Sequence, residues 1–162
     1  MKIASILHDE GKDYPVEYGD IDDFSSLPLE LCRQVYGVCF IGDDIVIVKN
    51  GLKNTWGFPG GTIETGESIE STLKRETKEE ANIEILKWLP IGYQKVTLSD
   101  GTYIYQLRVC ALAKKTGEFI SDPAGTISEN KLINPLDYKK YFDWGEIGER
   151  IIQRALELRK IL

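Results

Sequence analysis

The chain is poor in the residues that most metal and nucleophile chemistry relies on. It has one histidine, His8, in 162 residues. With that ring in a strand-like N-terminus, where it reads as structural or exposed, a His-based triad or a zinc site is not expected. The three cysteines, Cys32, Cys39 and Cys110, have no metal-ligand spacing. An odd count without a framework favours a reducing cytosol, so a cytoplasmic location is expected. Cys39 and Cys110 lie in apolar runs and read as buried thiols. Basic charge is short as well: 20 Lys and Arg face 26 Asp and Glu, a net charge of −6. That balance argues against a broad basic surface, and no stable nucleic-acid complex is expected. No apolar run is long enough to span a membrane, and the start, MKIASILHDEGK, has too short an apolar stretch for a signal peptide.

What is present is ordinary for a globular domain: 42% hydrophobic and 28% charged residues. The length suits one domain with a sizeable core. One stretch stands apart. Glu67, Arg75, Glu76, Glu79 and Glu80 crowd into fourteen residues. Residues 68–81 (SIESTLKRETKEEA) lack Gly and Pro and are rich in helix formers, so they are predicted to be helical. Asn82 is a candidate left-handed C-cap. At about 100° per residue, Ile69, Leu73, Thr77 and Ala81 form one stripe, the natural core-facing side. Glu76 and Glu80 fall within about 20° of Ile69 on the same wheel, and Glu79 sits at the edge of the stripe. These carboxylates therefore point at the protein body, where charge is costly unless paired. Like charges at these spacings also destabilise a helix by about 0.2–0.5 kcal/mol per pair. Arg75 can answer one of them, and a hard divalent cation could answer the rest. A solvated acidic face is the bland alternative. Lys74 and Lys78 already occupy the opposite side of the wheel, so that reading suits the lysines better than Glu76 and Glu80.

The spacing Gly61, five residues, Glu67, seven residues, Arg75-Glu76, then Glu79-Glu80 resembles the Nudix box, G-x5-E-x7-R-E-U-x-E-E-x-G-U with U apolar. Every charged position over residues 61–83 is filled. Trp56-Gly57-Phe58-Pro59-Gly60-Gly61 also resembles the family's lead into the box. Two positions depart from the pattern. Thr77 stands where an aliphatic residue is usual, and its hydroxyl needs a partner. Asn82 stands where glycine is usual, and Asn tolerates φ > 0 better than most residues.

The resemblance implies an α/β Nudix fold, a mixed β-sheet sandwiched between α-helices. The expected layout is an N-terminal extension over 1–34 and a Nudix domain over 35–162. Within the extension, 1–8 reads as a strand and 9–34 as acidic and irregular, a hairpin or a lid. Val35–Ile41 and Ile45–Lys49 flank a Gly42-Asp43-Asp44 turn and read as a hairpin. Ile83–Trp88 is a strand candidate, and Tyr93–Leu98 and Tyr103–Ala113 flank the Ser99-Asp100-Gly101 turn. Residues 114–137 read as loop-rich, and 145–161 as a long amphipathic helix that covers the sheet.

The resemblance further implies hydrolysis of a phosphoanhydride in a nucleoside diphosphate linked to another group, with Mg²⁺, or Mn²⁺ in its place. It implies Gly60 (through its carbonyl), Glu76, Glu79 and Glu80 as metal ligands. Arg75, Glu76 and Glu79 are the implied catalytic groups, with Glu79 a ligand or the group that deprotonates water. Glu67 either binds a second metal through water or braces the loop. Glu118, Asp122 and Glu129 are alternative bases from a later loop. The implied partner is a small nucleotide-diphosphate substrate, and a homodimer is left open. Trp56, Phe58, Tyr93, Tyr103 and Tyr105 are candidates to stack a base, with core packing as the alternative. Lys49, Lys53, Lys95 and Arg108 are candidates to meet phosphates, with ordinary surface charge as the alternative. The competing class is a non-catalytic, nucleotide-binding regulatory module, which usually loses box acids; all are present here.

Overall fold

A computed structural model describes residues 1–162. The chain opens with β1 (Lys2–Asp9) and β2 (Lys12–Asp20), an antiparallel hairpin, followed by two short 3-10 turns at Phe24–Ser26 and Leu29–Leu31. Then come β3 (Cys32–Ile41), β4 (Asp44–Asn50), β5 (Thr55–Gly57), β6 (Gly60–Thr62) and helix α1 (Ile69–Ala81). β7 (Ile83–Thr97), β8 (Tyr103–Lys115), β9 (Ile127–Ile133), a 3-10 segment at Pro135–Lys140 and helix α2 (Gly145–Arg159) complete it. The sheet runs in the order β1-β2-β7-β8-β3-β4-β5, with β6 also on β3 and β9 on β4. β3 and β8 pair in parallel, and every other pair is antiparallel. No helix is long and apolar enough to cross a membrane.

The central strands are apolar almost without a break because both of their faces are covered. On β3, Val38 and Phe40 face one core with Ile45 and Ile47 of β4, closed by Ile147, Ile151, Ile152 and Ala155 of α2. The alternate residues Val35, Cys39, Val46 and Val48 face a second core with Leu107 and Val109, closed by Leu73 and Ala81 of α1. The two-residue period of a strand thus sorts one apolar run onto two helices. The result is the mixed sheet between helices that the sequence implied.

Three stretches differ from the sequence reading. Within 9–34, read as irregular with a hairpin or a lid as its form, Lys12–Asp20 is the regular strand β2, which closes a hairpin with β1 and pairs with β7. The strands expected at 83–88 and 93–98 are one strand, β7. Its pairing with β8 slips between Ile85 and Lys87 and again between Pro90 and Gly92. Each slip inserts one extra residue, which bends the strand without ending it, so Pro90 and Gly92 mark bulges and not a loop. The loop-rich reading of 114–137 misses β9. Its seven residues, ISENKLI, bury only Ile127 and Ile133, so an edge strand held by backbone pairing to β4 leaves no alternating pattern to read.

The N-terminal hairpin is fastened to the sheet and to α2. β2 pairs with β7, and Val16 and Tyr18 join the α2-side core. Asp20 accepts hydrogen bonds from Arg150 on α2 at 2.6, 3.1 and 3.2 Å and from the Tyr18 hydroxyl at 3.0 Å. Burial works against ionising Asp20, but the bonds from Arg150 and Tyr18 and the charges of Arg150 and Arg154 hold its carboxyl below the ordinary value. A group lowered in this way contributes its stability above its unfolded value and loses it as pH falls through the folded one. Asp20→Ala should therefore lower unfolding stability by about 3 kcal/mol in urea at pH 7. The gap to the parent protein should close as the pH falls below about 4.

Candidate active site

The loop from β6 into α1 is closed by an arginine. Arg75 donates to both oxygens of Glu67, from Nε at 2.8 Å and from Nη2 at 2.9 Å. Glu67 also accepts from the Glu64 amide at 2.9 Å and the Thr72 hydroxyl at 3.2 Å. These bonds, those of Arg75 first, hold the Glu67 carboxyl down to about 2. Arg75 continues to the carbonyl of Thr62 at 3.1 Å, to Glu76 at 2.9 Å and to Glu79 at 3.5 Å. One guanidinium thus serves three carboxylates, and Glu80 is not among them.

Helix α1 begins at a reciprocal cap. The Ser68 hydroxyl accepts from the Ser71 amide, and the Ser71 hydroxyl accepts from the Ser68 amide. It ends on Asn82, which adopts φ 51° and ψ 47°, the left-handed conformation that asparagine tolerates. Thr116 donates to the Asn82 side chain and carbonyl, and Asn82 in turn donates to the Glu118 carbonyl. Thr77 is fully buried, and its hydroxyl donates to the Leu73 carbonyl at 2.8 Å. Both departures from the consensus are thereby accommodated.

The helix buries Thr72, Leu73, Thr77, Ala81 and one acid, Glu80, which is 8% exposed. The Glu80 carboxylate accepts from the Gly60 amide at 2.7 Å. Burial, with the nearby negative charges of Glu76, Asp122 and Glu79, pushes its carboxyl up to about 8. Burial also raises Glu76, against the pull of Arg75. Gly60 has φ +150°, and a side chain there would come within 2.1 Å of the Val35 carbonyl oxygen. A side chain on Gly61 would meet the Glu76 carboxylate at 2.5 Å. The loop can lie on these carboxylates only because both residues are glycine.

As the side chains stand, no three of these acids close on one point as metal ligands. The donor set nevertheless fits a hard divalent cation: oxygens only, three carboxylates on one helical face, and a buried acid without a cationic partner. The model for the NUDIX domain family matches residues 32–155.

The chain belongs to the Nudix family. A Nudix hydrolase of Deinococcus radiodurans is 39% identical over 54 residues, 30% of this chain. That match spans about a third (32%) of the curated relative's length. Among solved structures, the Bacillus subtilis pyrophosphohydrolase BsRppH superposes with a TM-score of 0.71 at 17% identity, covering 95% of this chain and 97% of that one. A Nudix hydrolase from Nitrosomonas europaea superposes at 0.60 with 19% identity, covering 81% and 95%. At these identities the structures share the fold.

The Nudix box brings Glu67, Arg75, Glu76, Glu79 and Glu80 together beside Gly60, the residue that precedes it. The three later acids separate. Asp122 is buried near Glu76 and Glu80, but its oxygens accept from the amides of Ala124, Thr126 and Ile127. Glu118 and Glu129 are exposed, and Glu129 lies opposite Lys49 on β9. The aromatic candidates scatter too. Tyr105 meets both Tyr93 and Tyr103 edge to face at one end of β7 and β8. Phe58 is buried against Phe142 and Trp144, and Trp56 meets Tyr141. Among the cations, Lys53 pairs with Asp9 and Glu10 of the N-terminal hairpin, and Lys49 and Lys95 sit over Trp56 and Tyr103. Arg108 is no surface charge. It is 5% exposed, between Tyr36 and Trp144, two aromatics that the sequence reading passed over. Its position in the apolar run of β8 was the signal that it points inward.

Two outcomes test this geometry. Because Glu80 is raised in the folded state, its ionisation opposes folding, a penalty absent below its unfolded value and complete above about pH 8. Without added metal, Glu80→Gln should match the parent's stability near pH 4 and exceed it by on the order of 2–4 kcal/mol at pH 9 in urea titrations. Gly60→Ala, which drives a methyl into the β3 backbone, should lower stability by about 3 kcal/mol or more in the same assay.

Proposed function

We propose that this protein is a divalent-metal-dependent hydrolase of the phosphoanhydride bond in a nucleoside diphosphate linked to another group. The observation that carries the reading is Glu80: a buried carboxylate beside Glu76, Glu79 and Asp122, against the Gly60 backbone, with no Lys or Arg of its own. Ionising these acids together without a cation leaves several negative charges unanswered, which is why the fold holds the Glu80 carboxyl up at about 8. Glu76, Glu79, Glu80 and the Gly60 carbonyl would hold Mg²⁺ or Mn²⁺. The ion, when bound, would neutralise phosphate oxygens and make water acidic enough to lose a proton near neutral pH.

The residues themselves divide the remaining work. Arg75 and Glu67 act as a brace, since four hydrogen bonds occupy the Glu67 carboxylate. Arg75 orients Glu76 by the same guanidinium. Glu79, nearly a third exposed and met only by Arg75 at 3.5 Å, is the box acid best placed to take a proton from water. Asp122 is proposed to shape the loop over the site, because three backbone amides already claim its oxygens. The three free, buried cysteines suit the reducing cytosol.

The test is a substrate panel with Mg²⁺ or Mn²⁺ and product analysis: nucleoside triphosphates, ADP-ribose, nucleotide sugars, dinucleoside polyphosphates and coenzyme A. Glu80→Gln should lower kcat on the best substrate by on the order of 10³-fold or more with the fold intact. Unchanged turnover would sink the assignment. Tight binding of one nucleotide with hydrolysis of none would leave the regulatory, non-catalytic module as the correct class.

A further inference from the structure

The sheet ends in a strand with one edge free. β1 pairs with β2 on one side and with no element on the other. It turns onto β2 through Glu10-Gly11, with φ 49° and 76°, the left-handed pair of a tight two-residue hairpin. Such a turn closes on a hydrogen-bonded pair, here Asp9 and Lys12. Every second residue back from Asp9 therefore turns its backbone to β2, and Lys2, Ala4, Ile6 and His8 turn theirs outward. Those outward amides and carbonyls meet no partner in the protein. Protein sheets usually blunt such edges by shortness, charge or proline. At the other side of this sheet β5 has only three residues, and β9 carries Glu129 and Lys131. β1 has eight residues and no proline, with Ile6 55% and Leu7 36% exposed.

An edge of this kind accepts an extended chain, and the order of residues in β1 says which. Two copies of one strand can pair antiparallel about a two-fold axis perpendicular to the sheet. Opposed residues then share a face, which restricts the register. Centred on Ser5, the pairing sets Lys2 against His8, Ala4 against Ile6 and Ile3 against Leu7, and every outward backbone group of both strands is met. Centred on Ile6, it leaves Lys2 unpaired and sets Ile3 against Asp9. Centred on Ala4, it leaves His8 unpaired and sets Lys2 against Ile6. Only the Ser5 register matches like with like. On the α2 face, where Ile3 packs on the core, it continues the pair Tyr18 and Ile3 into Leu7 and Tyr14 of the second copy. On the opposite face it brings Lys2 to the second copy's His8, which is bonded to Asp13, so cation approaches anion.

We propose that β1 is a self-association edge, through which two copies of this chain join their sheets by antiparallel β1 strands centred on Ser5. Backbone bonds supply the attraction, and the side-chain matching fixes the register. The contact is confined to one strand from each copy, so the dimer is concentration-dependent. It goes beyond the hydrolase reading and stands or falls apart from it.

The test combines light scattering on the full chain with a register-specific cross-link. At about 100 μM, enough to populate a small interface, the protein should be dimeric. Ile6→Pro removes an outward N–H and leaves the bonds to β2 in place. It should weaken dimerisation on the order of 10-fold or more with an unchanged circular dichroism spectrum. Ser5→Cys sets two thiols across the axis in a non-hydrogen-bonded pair, with Cα atoms about 4.5 Å apart, and should give a disulfide-linked dimer on mild oxidation. His8→Cys, which opposes Lys2, should not. The natural thiols do not interfere, because Cys32, Cys39 and Cys110 are buried. The cross-link also serves as the readout if the Ile6 variant misfolds. A dimer indifferent to Ile6→Pro, or cross-linking through His8→Cys and not through Ser5→Cys, would overturn the proposal. A monomer at that concentration would overturn it too, and would leave the edge to a foreign strand.

Discussion

Burying the Glu80 carboxylate under the Gly60 amide is the constraint around which the rest is arranged. It requires α1 to dock with an acid inside its apolar stripe and the β6 loop to lie directly on the helix. The loop in turn needs glycine at 60 and 61, since a side chain at either would strike the β3 backbone or the Glu76 carboxylate. Arg75 then closes the loop through Glu67 and steadies Glu76 and Glu79. Four acids and one arginine leave net negative charge in a half-buried place. In the proposed reading that imbalance is the binding energy for a cation, held in reserve by the fold.

The sheet carries this charge to only one of its faces. Alternation along β3 sends Val35 and Cys39 towards α1, and Tyr36, Val38 and Phe40 towards α2. Tyr36 therefore stands with its ring against Gly60 on one side and against Arg108 on the other. The negative box and the buried positive guanidinium are neighbours across a single tyrosine.

Much of this was legible residue by residue. The wheel placed Glu76 and Glu80 on the inward side of α1, and the structure buries Glu80 and half-buries Glu76. The same helix showed where its exceptions would be absorbed: Asn82 takes the left-handed cap, and the Thr77 hydroxyl bonds back to Leu73. Less was legible where pairing replaces pattern. β9 has no apolar alternation, because backbone bonds to β4 hold it, and β7 continues through Pro90 and Gly92 because bulges absorb them. The late acids could not be ranked from sequence. Whether Asp122 faces the box or brackets its own loop depends on three amides that only a folded loop brings within reach.

By itself, the sequence determined the family, the helix that bears the acids, and the side on which those acids lie. These follow from spacing and helical period, which are local and act through neighbours three or four residues apart. The tertiary structure alone decided that Arg108 is buried, that Trp144 and Tyr36 flank it, and that the N-terminal hairpin covers it. Those groups lie on strands and loops up to 140 residues apart along the chain. Their meeting depends on sheet order and register, and no local period encodes either.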